Sequence, residues 1–332
     1  MDEKIDFVIT WVDGNDVEWQ KQKNMYSGNK NDESNSMIRY RDWGLLKYWF
    51  RSIEKYTPWV NKIYFVTCGQ KPEWLNCDNP KLVLVNHNEF MPEETLPTFN
   101  SSSILMYLHK IKGLSEKFVV FNDDMYITSQ IEPTYFFEGN LPKDALIFNA
   151  VSSEKDNNII NHIILNDLEL IATKVDKREF IKHNKNKVYN IKYGKNLIRT
   201  LLLKPWKYYT GIYNQHVPLP YLKSSYEEFW KLFEPELSKT TLNKFRTKYD
   251  YNEWAVRYWQ LLNGRFIPKK CSKDVYYSLQ EDNAKFLKNV VNEKYKTICI
   301  NDNDEKLDFE NVKKQLIYYF EQKFNTKSSF ER

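Results

Sequence analysis

Two successive aspartates, Asp123 and Asp124, follow an apolar run at residues 118–121 and end it in the triplet Asn122-Asp123-Asp124. Adjacent carboxylates on such a turn cannot both enter a core, because an unpaired buried carboxylate costs several kcal/mol or takes up a proton. Their natural partner is a hard divalent cation, Mg²⁺ or Mn²⁺, which takes one or two carboxylates and fills its shell with waters and phosphate oxygens. A polar turn whose Asp caps the next element has the same signature. A second acidic pair, Asp13 with Asp16, follows residues 5–11 and reaches the same sheet edge if the two strands are parallel neighbours. Arg39, Arg41 and Asp42 stand before a helical pattern, where backbone N–H groups favour anions and an arginine fork matches phosphate oxygens. His216 lies in Asn214-Gln215-His216-Val217-Pro218-Leu219-Pro220, a proline-stiffened loop, and an imidazole there titrates where a general base works.

Other chemistries are excluded by inspection. The remaining histidines show neither HxxxH nor HExxH spacing, so no zinc site is expected. Nine glycines form no GxGxxG and no GxxxxGK[ST], and there is no GxSxG nucleophile elbow. Four cysteines without CxxC spacing read as free thiols.

The elements that must position these residues alternate in the first half. Strands are expected at residues 5–11, 63–67, 82–85, 118–121 and 145–148, with helices at 42–56, capped by Asp42, and at 102–111. Strands alternating with helices mean βαβ units, so the fold class is α/β with a doubly wound, mostly parallel sheet, a Rossmann-like or GT-A-like core whose ligands sit at the carboxyl ends of the strands. The second half reads as helical, over 158–173, 226–233, 237–249, 253–263 and 311–324, with one strand at 295–300. The economical division is a catalytic domain over residues 1–270 and a C-terminal extension over 271–332, the latter with no evident chemistry of its own.

At 332 residues and 42% hydrophobic content the chain supports a full core. No stretch approaches the roughly 20 apolar residues of a membrane helix, and the acidic, strand-like N-terminus has no signal-peptide pattern, so a cytoplasmic protein is expected. The net charge of +5 is uneven: residues 174–207 hold eleven Lys or Arg against Asp176 and Glu179, a local +9 that leaves the rest of the chain net acidic. Such a segment is either a solvated, partly mobile face or a docking surface for an anionic polymer or anionic lipid, making the protein membrane-peripheral.

Four ordered blocks carry a family resemblance. Ile5-Asp6-Phe7-Val8-Ile9-Thr10-Trp11-Val12-Asp13-Gly14 is the first, and Arg39-Tyr40-Arg41-Asp42 with Arg51-Ser52-Ile53-Glu54-Lys55-Tyr56 the second. The third joins Leu96-Pro97-Thr98-Phe99-Asn100-Ser101 to Phe121-Asn122-Asp123-Asp124, and the fourth is His216-Val217-Pro218 with Lys244-Phe245-Arg246. Together they resemble the Stealth family, bacterial capsular polysaccharide phosphotransferases similar to the animal N-acetylglucosamine-1-phosphotransferase. The resemblance implies metal and donor-phosphate roles for Asp123 and Asp124, an essential acid at Asp42, and essential roles for His216 and Arg246. Trp11, Asp13, Gly14, Arg39, Arg41 and Asn122 are the candidate substrate contacts. Two departures stand out: Leu105 replaces a frequent acid of the third block, and Cys68 replaces the usual Asp or Asn before Gly69-Gln70.

The implied reaction transfers a sugar 1-phosphate from a nucleotide sugar, commonly a UDP-sugar, to a hydroxyl of a growing capsular polysaccharide, with Mg²⁺ or Mn²⁺ on the donor diphosphate and no nucleic acid among the partners. Either His216 or Asp42 takes the acceptor proton. A metal-dependent glycosyltransferase would use the same carboxylates but attack the anomeric carbon. A non-catalytic carbohydrate binder would use the basic stretch and the aromatic surface.

Overall fold

The computed structural model describes residues 4–27, 40–153, 159–302 and 306–332. Alternation along the first strand, β1 (Ile5–Thr10), sends Phe7 and Ile9 into one core and Val8 into another, as the two-residue period of a pleated strand requires. β1 pairs in parallel with β2 (Ile63–Thr67), and β2 with β3 (Leu82–Asn86). The chain then crosses back, and β4 (Lys117–Phe121) pairs in parallel with the other edge of β1, Phe121 standing opposite Ile9. The direction of winding therefore reverses between β1 and β4, and at such a switch point the loops leaving the carboxyl ends part to form a crevice. The expected mostly parallel α/β sheet is the one observed; its fifth strand, β8 (Leu219–Leu222), is antiparallel to β4.

Helices cover both faces. α1 (Val17–Tyr26) follows β1, and α2 (Leu46–Tyr56) buries Leu46, Trp49, Phe50 and Ile53 in the first core, an i, i+3, i+4, i+7 stripe. Asp42 does not cap α2: Gly44 turns the chain at φ +71° and donates its N–H to Asp42 Oδ1 at 2.7 Å, so the helix starts after Leu45 without a side-chain cap. α3 (Ser101–Met106) is shorter than expected and passes into a 3-10 turn at Leu108–Lys110.

Two small sheets flank the large one. β5 (Met125–Ile127) receives the C-terminal part of the chain: β10 (Asp274–Ser278) and β11 (Thr297–Asn301) run parallel, and β11 pairs antiparallel to β5. β6 (Phe137–Glu138), β7 (Leu141–Asp144) and β9 (Ile267–Pro268) make the other. The strand expected at 145–148 is β7 instead, while Phe148 forms only an isolated bridge to Ile212; Phe148 N–H is taken by the Thr200 hydroxyl at 3.0 Å rather than by a ladder.

The second half is helical: α4 (Ile159–Ala172), α5 (Lys177–His183), α6 (Lys185–Val188), α7 (Leu197–Leu202), α8 (Lys223–Thr241), α9 (Glu253–Leu262), α10 (Ala284–Val291) and α11 (Phe309–Lys323). The helices expected at 226–233 and 237–249 are one, α8, bent at Phe233 because Pro235 lacks the N–H and crowds the preceding turn. α8 ends at Thr241, eight residues early, because the buried Asp250 carboxylate draws the following segment into a loop. No described helix is long and apolar enough to cross a membrane.

Candidate active site

The switch point opens into a large cleft floored by Trp11 from the end of β1 and by Asn122, Asp123 and Asp124 from the end of β4. The Asp pair sits on a tight turn closed by Met125 N–H donating to Asn122 O at 3.1 Å. β11 clamps that turn from outside: Ile300 N–H donates to Asp124 O at 2.9 Å, and the Cys299 thiol donates to Asp124 Oδ2 at 3.1 Å. Burial, and then the charge of Asp124, hold the Cys299 thiol well above its usual range, so it is a neutral donor to the carboxylate.

The other oxygen, Asp124 Oδ1, is buried with no hydrogen-bond partner. A lone buried carboxylate oxygen is expensive unless something cationic meets it. His216 stands beside the other oxygen, its Nε2 3.8 Å from Asp124 Oδ2. Ligand atoms of Asp124, His216 and Cys299 all fall within 4.8 Å of one another. With the thiol engaged on Asp124 Oδ2, the oxygen and nitrogen donors beside the cleft are the Asp124 carboxylate and the His216 imidazole, with Asp123 next door, a set that suits Mg²⁺ or Mn²⁺. Asp123 opens toward the cleft from its floor, where the surrounding protein, then Asp124, and more distantly Asp42 push its carboxyl up to about 7.

His216 is held in a left-handed backbone conformation, φ +50°, which a non-glycine residue keeps only when its surroundings enforce it. The enforcement is visible on both sides. Gln215 Nε2 donates to Cys271 O and Asp274 O at 3.0 and 2.8 Å. Asn214 Oδ1 accepts from Arg257, whose guanidinium is forked onto Asp144 at 2.7 and 2.9 Å in the interior. The imidazole is then edged by Trp254 and Tyr276, ring centroids 6.0 and 5.9 Å away. Burial alone would lower its pKa, but the hydrogen bond and charge of Asp124, with Glu253 behind, raise it.

Arg246 reaches the cleft from the loop that ends α8, bonding the Ser101 hydroxyl. Asp250 fixes that loop: its two oxygens accept from Asn243 Nδ2, the Thr247 hydroxyl, Thr247 N–H and Asn100 Nδ2 at 2.7 to 3.0 Å. Phe99 N–H donates to Lys244 O at 2.9 Å, and the Phe99 and Phe245 rings stack at 5.3 Å. The segments 96–101 and 244–246, read separately in the sequence, are thus one wall. Arg41 and Asp42 also line the cleft, Arg41 3.5 Å from Asp302, and Lys313 Nζ 2.9 Å from Asp42 O.

Not every candidate converges. Asp13 and Gly14 lie behind Trp11, outside the cleft lining. Asp13 Oδ1 accepts from Asn15 N–H at 2.9 Å, while Asp16 caps α1 and accepts from Gln70, whose bond is the main reason its carboxyl lies below the usual range. Both acids are spent locally. A side chain at Gly14 would put its Cβ 2.2 Å from Tyr40 O, so this glycine lets the segment bearing Arg41 and Asp42 close onto the β1 loop. Arg39 lies outside the described residues. Leu105 and Cys68 both line the cleft, Leu105 as a buried apolar wall.

The site also contains residues to which the sequence assigns no role: Glu253, Tyr276 and Asp302 in the cleft lining, and Cys299 buried against Asp124. Three of these come from the last sixty or so residues, and no spacing signal could reveal them, since Cys299 meets Asp124 across 175 positions.

Comparison with known proteins adds the family. Residues 3–31 match Stealth protein CR1, conserved region 1, and residues 39–144 match Stealth protein CR2, conserved region 2. The capsular polysaccharide phosphotransferase WcwK of Streptococcus pneumoniae is 44% identical over 99% of this chain and 98% of its own. The receptor polysaccharide phosphotransferase WefC of Streptococcus gordonii is 40% identical over 100% of both chains. The exopolysaccharide phosphotransferase cps2G of Lactiplantibacillus plantarum is 38% identical over 99% and 96%. Among solved structures, the galactosyltransferase LgtC in complex with donor and acceptor sugar analogs aligns over 98% of both chains at 8% identity and a TM-score of 0.41. Sheet, cleft and relatives together define an α/β transferase of the phosphotransferase class. The chain belongs to the Stealth family.

Proposed function

We propose that the protein transfers a sugar 1-phosphate from a nucleotide sugar, a UDP-sugar by preference, to a hydroxyl of a growing capsular polysaccharide, leaving a phosphodiester and releasing UMP. The observation that carries the reading is the unpartnered buried Oδ1 of Asp124 at the sheet's switch point, beside a cleft that Arg41 and Arg246 both line. A cation between carboxylate and diphosphate, flanked by arginines, is what a pyrophosphate donor needs.

In this scheme Asp123 and Asp124 would hold Mg²⁺ or Mn²⁺, which when bound neutralises charge on the donor diphosphate, with His216 beside them as a further ligand or as the base. Arg41 and Arg246 take up the negative charge that builds on the equatorial oxygens. Trp11 and Asn122 border the donor, and Asp42 or His216 accepts the acceptor proton. The acceptor oxygen attacks the sugar-bearing phosphorus, the bridge to the second phosphorus breaks, and the bridging oxygen leaves with UMP. Asp13 and Gly14 act through the loop that follows Trp11, and Arg39 is a further contact to the substrate. A cytoplasmic location supplies nucleotide sugar.

The nucleotide product tests the reading. A donor labelled at its sugar-side phosphorus should deliver the label to the polymer and release unlabelled UMP. Recovery of the label in UDP would mean attack at the anomeric carbon, and the protein would be a glycosyltransferase.

A further inference from the structure

The basic segment 174–207 is built rather than loose. Lys177, alone buried among its eleven cations, points inward and donates to the carbonyls of Leu203, Trp206 and Tyr208 at 3.3, 2.9 and 3.0 Å. Thr200 ties α7 to Phe148, and the Tyr193 hydroxyl donates to Lys187 O at 2.6 Å while accepting from Leu146 N–H at 3.3 Å. The two acids are absorbed: Asp176 caps α5, and Glu179 lies 3.5 Å from Lys182. Nine of the cations are exposed.

On this anchored frame apolar side chains stand in solvent. Ile198, Leu201 and Leu202 share one face of α7 by i, i+3, i+4 spacing, and Ile191, Trp206 and Tyr208 flank it, all six between 49% and 88% exposed. Lys192, Lys195, Arg199, Lys204 and Lys207 are interleaved with them. The frame adjoins the cleft: Arg199 donates to Asn149 Oδ1 at 2.7 Å, and Asn149 lines the cleft wall.

We infer that this platform docks the enzyme on an anionic bilayer surface, with the Ile191–Trp206 apolar face in the interfacial zone, the cations on lipid phosphates, and the cleft mouth beside the membrane. A helix face of Leu and Ile ringed by Lys and Arg, with Trp and Tyr at its margin, is the composition of an interfacial contact. A soluble polyanion would engage the cations but offer nothing to cover the six apolar groups. A second copy meeting the same face would set like charges against each other. The docking is independent of the bond the enzyme breaks.

The test is flotation of the full chain with phosphatidylcholine vesicles containing or lacking phosphatidylglycerol, at low and high salt, with donor cleavage in solution measured separately. Binding should need the anionic lipid and fall with salt. Changing Lys192, Lys195, Lys204 and Lys207 together to Gln should weaken it on the order of a hundredfold. The same change at Lys285, Lys288, Lys294 and Lys314, on another face, should not. Leu202→Asn with Trp206→Ala should weaken binding roughly tenfold or more at unchanged charge, and every variant should cleave donor in solution as the parent does. Absence of binding at low salt overturns the inference. So does loss with the lysine set but not with the apolar pair, accompanied by competition from soluble dextran sulfate, which would make the platform a polymer site. A dimer dispersed by the apolar pair would make it a self-association face.

Discussion

At the scale of single residues, the proposed reaction concentrates its chemistry at Asp124, which Cys299 and Ile300 grip from outside. Asp124→Asn and Asp123→Asn should each keep the fold and lower turnover by roughly 10²-fold or more, with a higher metal concentration needed for half-activity. Near-normal rates and unaltered metal dependence in both would remove the cation from this turn. His216 stands close enough to Asp124 to act as ligand as well as base, and one variant separates the roles. If the imidazole is a ligand, His216→Ala needs more metal and keeps its acid limb. If it is the base, the acid limb of kcat/KM flattens while metal dependence stays, and the metal titration and pH profile together decide. The Asp pair, His216 and Arg246 were legible in the sequence because a strand-end turn, a proline-stiffened loop and a family block each mark themselves locally. Cys299 was not: a thiol hydrogen bond across 175 residues leaves no local mark. Asp13 and Asp16 show the converse, since an acid that caps a helix or closes a turn reads like a ligand in the sequence and only the structure shows its local hydrogen bonds.

At the scale of elements, the parallel strands were readable from their apolar runs, and the helices α2 and α9 from their stripes, because periodicity is written in adjacent residues. The end of α8 was not, because the force that stops it comes from a buried carboxylate beyond the helix. That carboxylate yields an expectation. Asp250→Ala leaves Asn100, Asn243 and two Thr247 groups without their acceptor; it should lower stability by roughly 2–4 kcal/mol and free the loop bearing Arg246. Turnover should fall nearly as far as in Arg246→Ala, and Arg246→Ala should do so without the loss of stability. Chemical denaturation set against kcat distinguishes the two; an Asp250→Ala enzyme with parental kcat would mean the loop positions nothing.

At the scale of the whole molecule, stability should depend on pH through two interior histidines. Burial lowers His87 to about 4 and His109 to about 3, so below pH 6.5 the unfolded chain binds protons the folded one refuses. Stability is then full above pH 6.5 and declines as pH falls, by about 2 kcal/mol per imidazole between pH 6.5 and 5. Urea midpoints across that range should shift accordingly, and His109→Phe should halve the slope; an unchanged slope would rule out His109. A further acid-sensitive contact closes the chain's end. Glu331 is forked onto Arg51, with Nη2 to Oε2 at 2.7 Å, and although burial opposes it the arginine holds the carboxyl below its usual range. Its contribution is present above the unfolded carboxyl value and lost as pH drops through the folded one. Arg51→Met should cost roughly 3–5 kcal/mol by leaving that buried carboxylate without its cation, held only by the Ser328 N–H and hydroxyl.

The pairing of β11 with β5 carries one more consequence, for the order in which the protein comes into being. A chain emerging from the ribosome can wind β1 through β4 and present both aspartates long before Cys299 and Ile300 exist to grip Asp124. Until β11 arrives the turn has no outer clamp, and the ladder that supplies it closes a loop of about 170 residues, a slow event by the entropy of bringing such distant segments together. Catalytic competence should therefore lag behind formation of the central sheet during refolding, activity returning later than the far-ultraviolet signal of the strands.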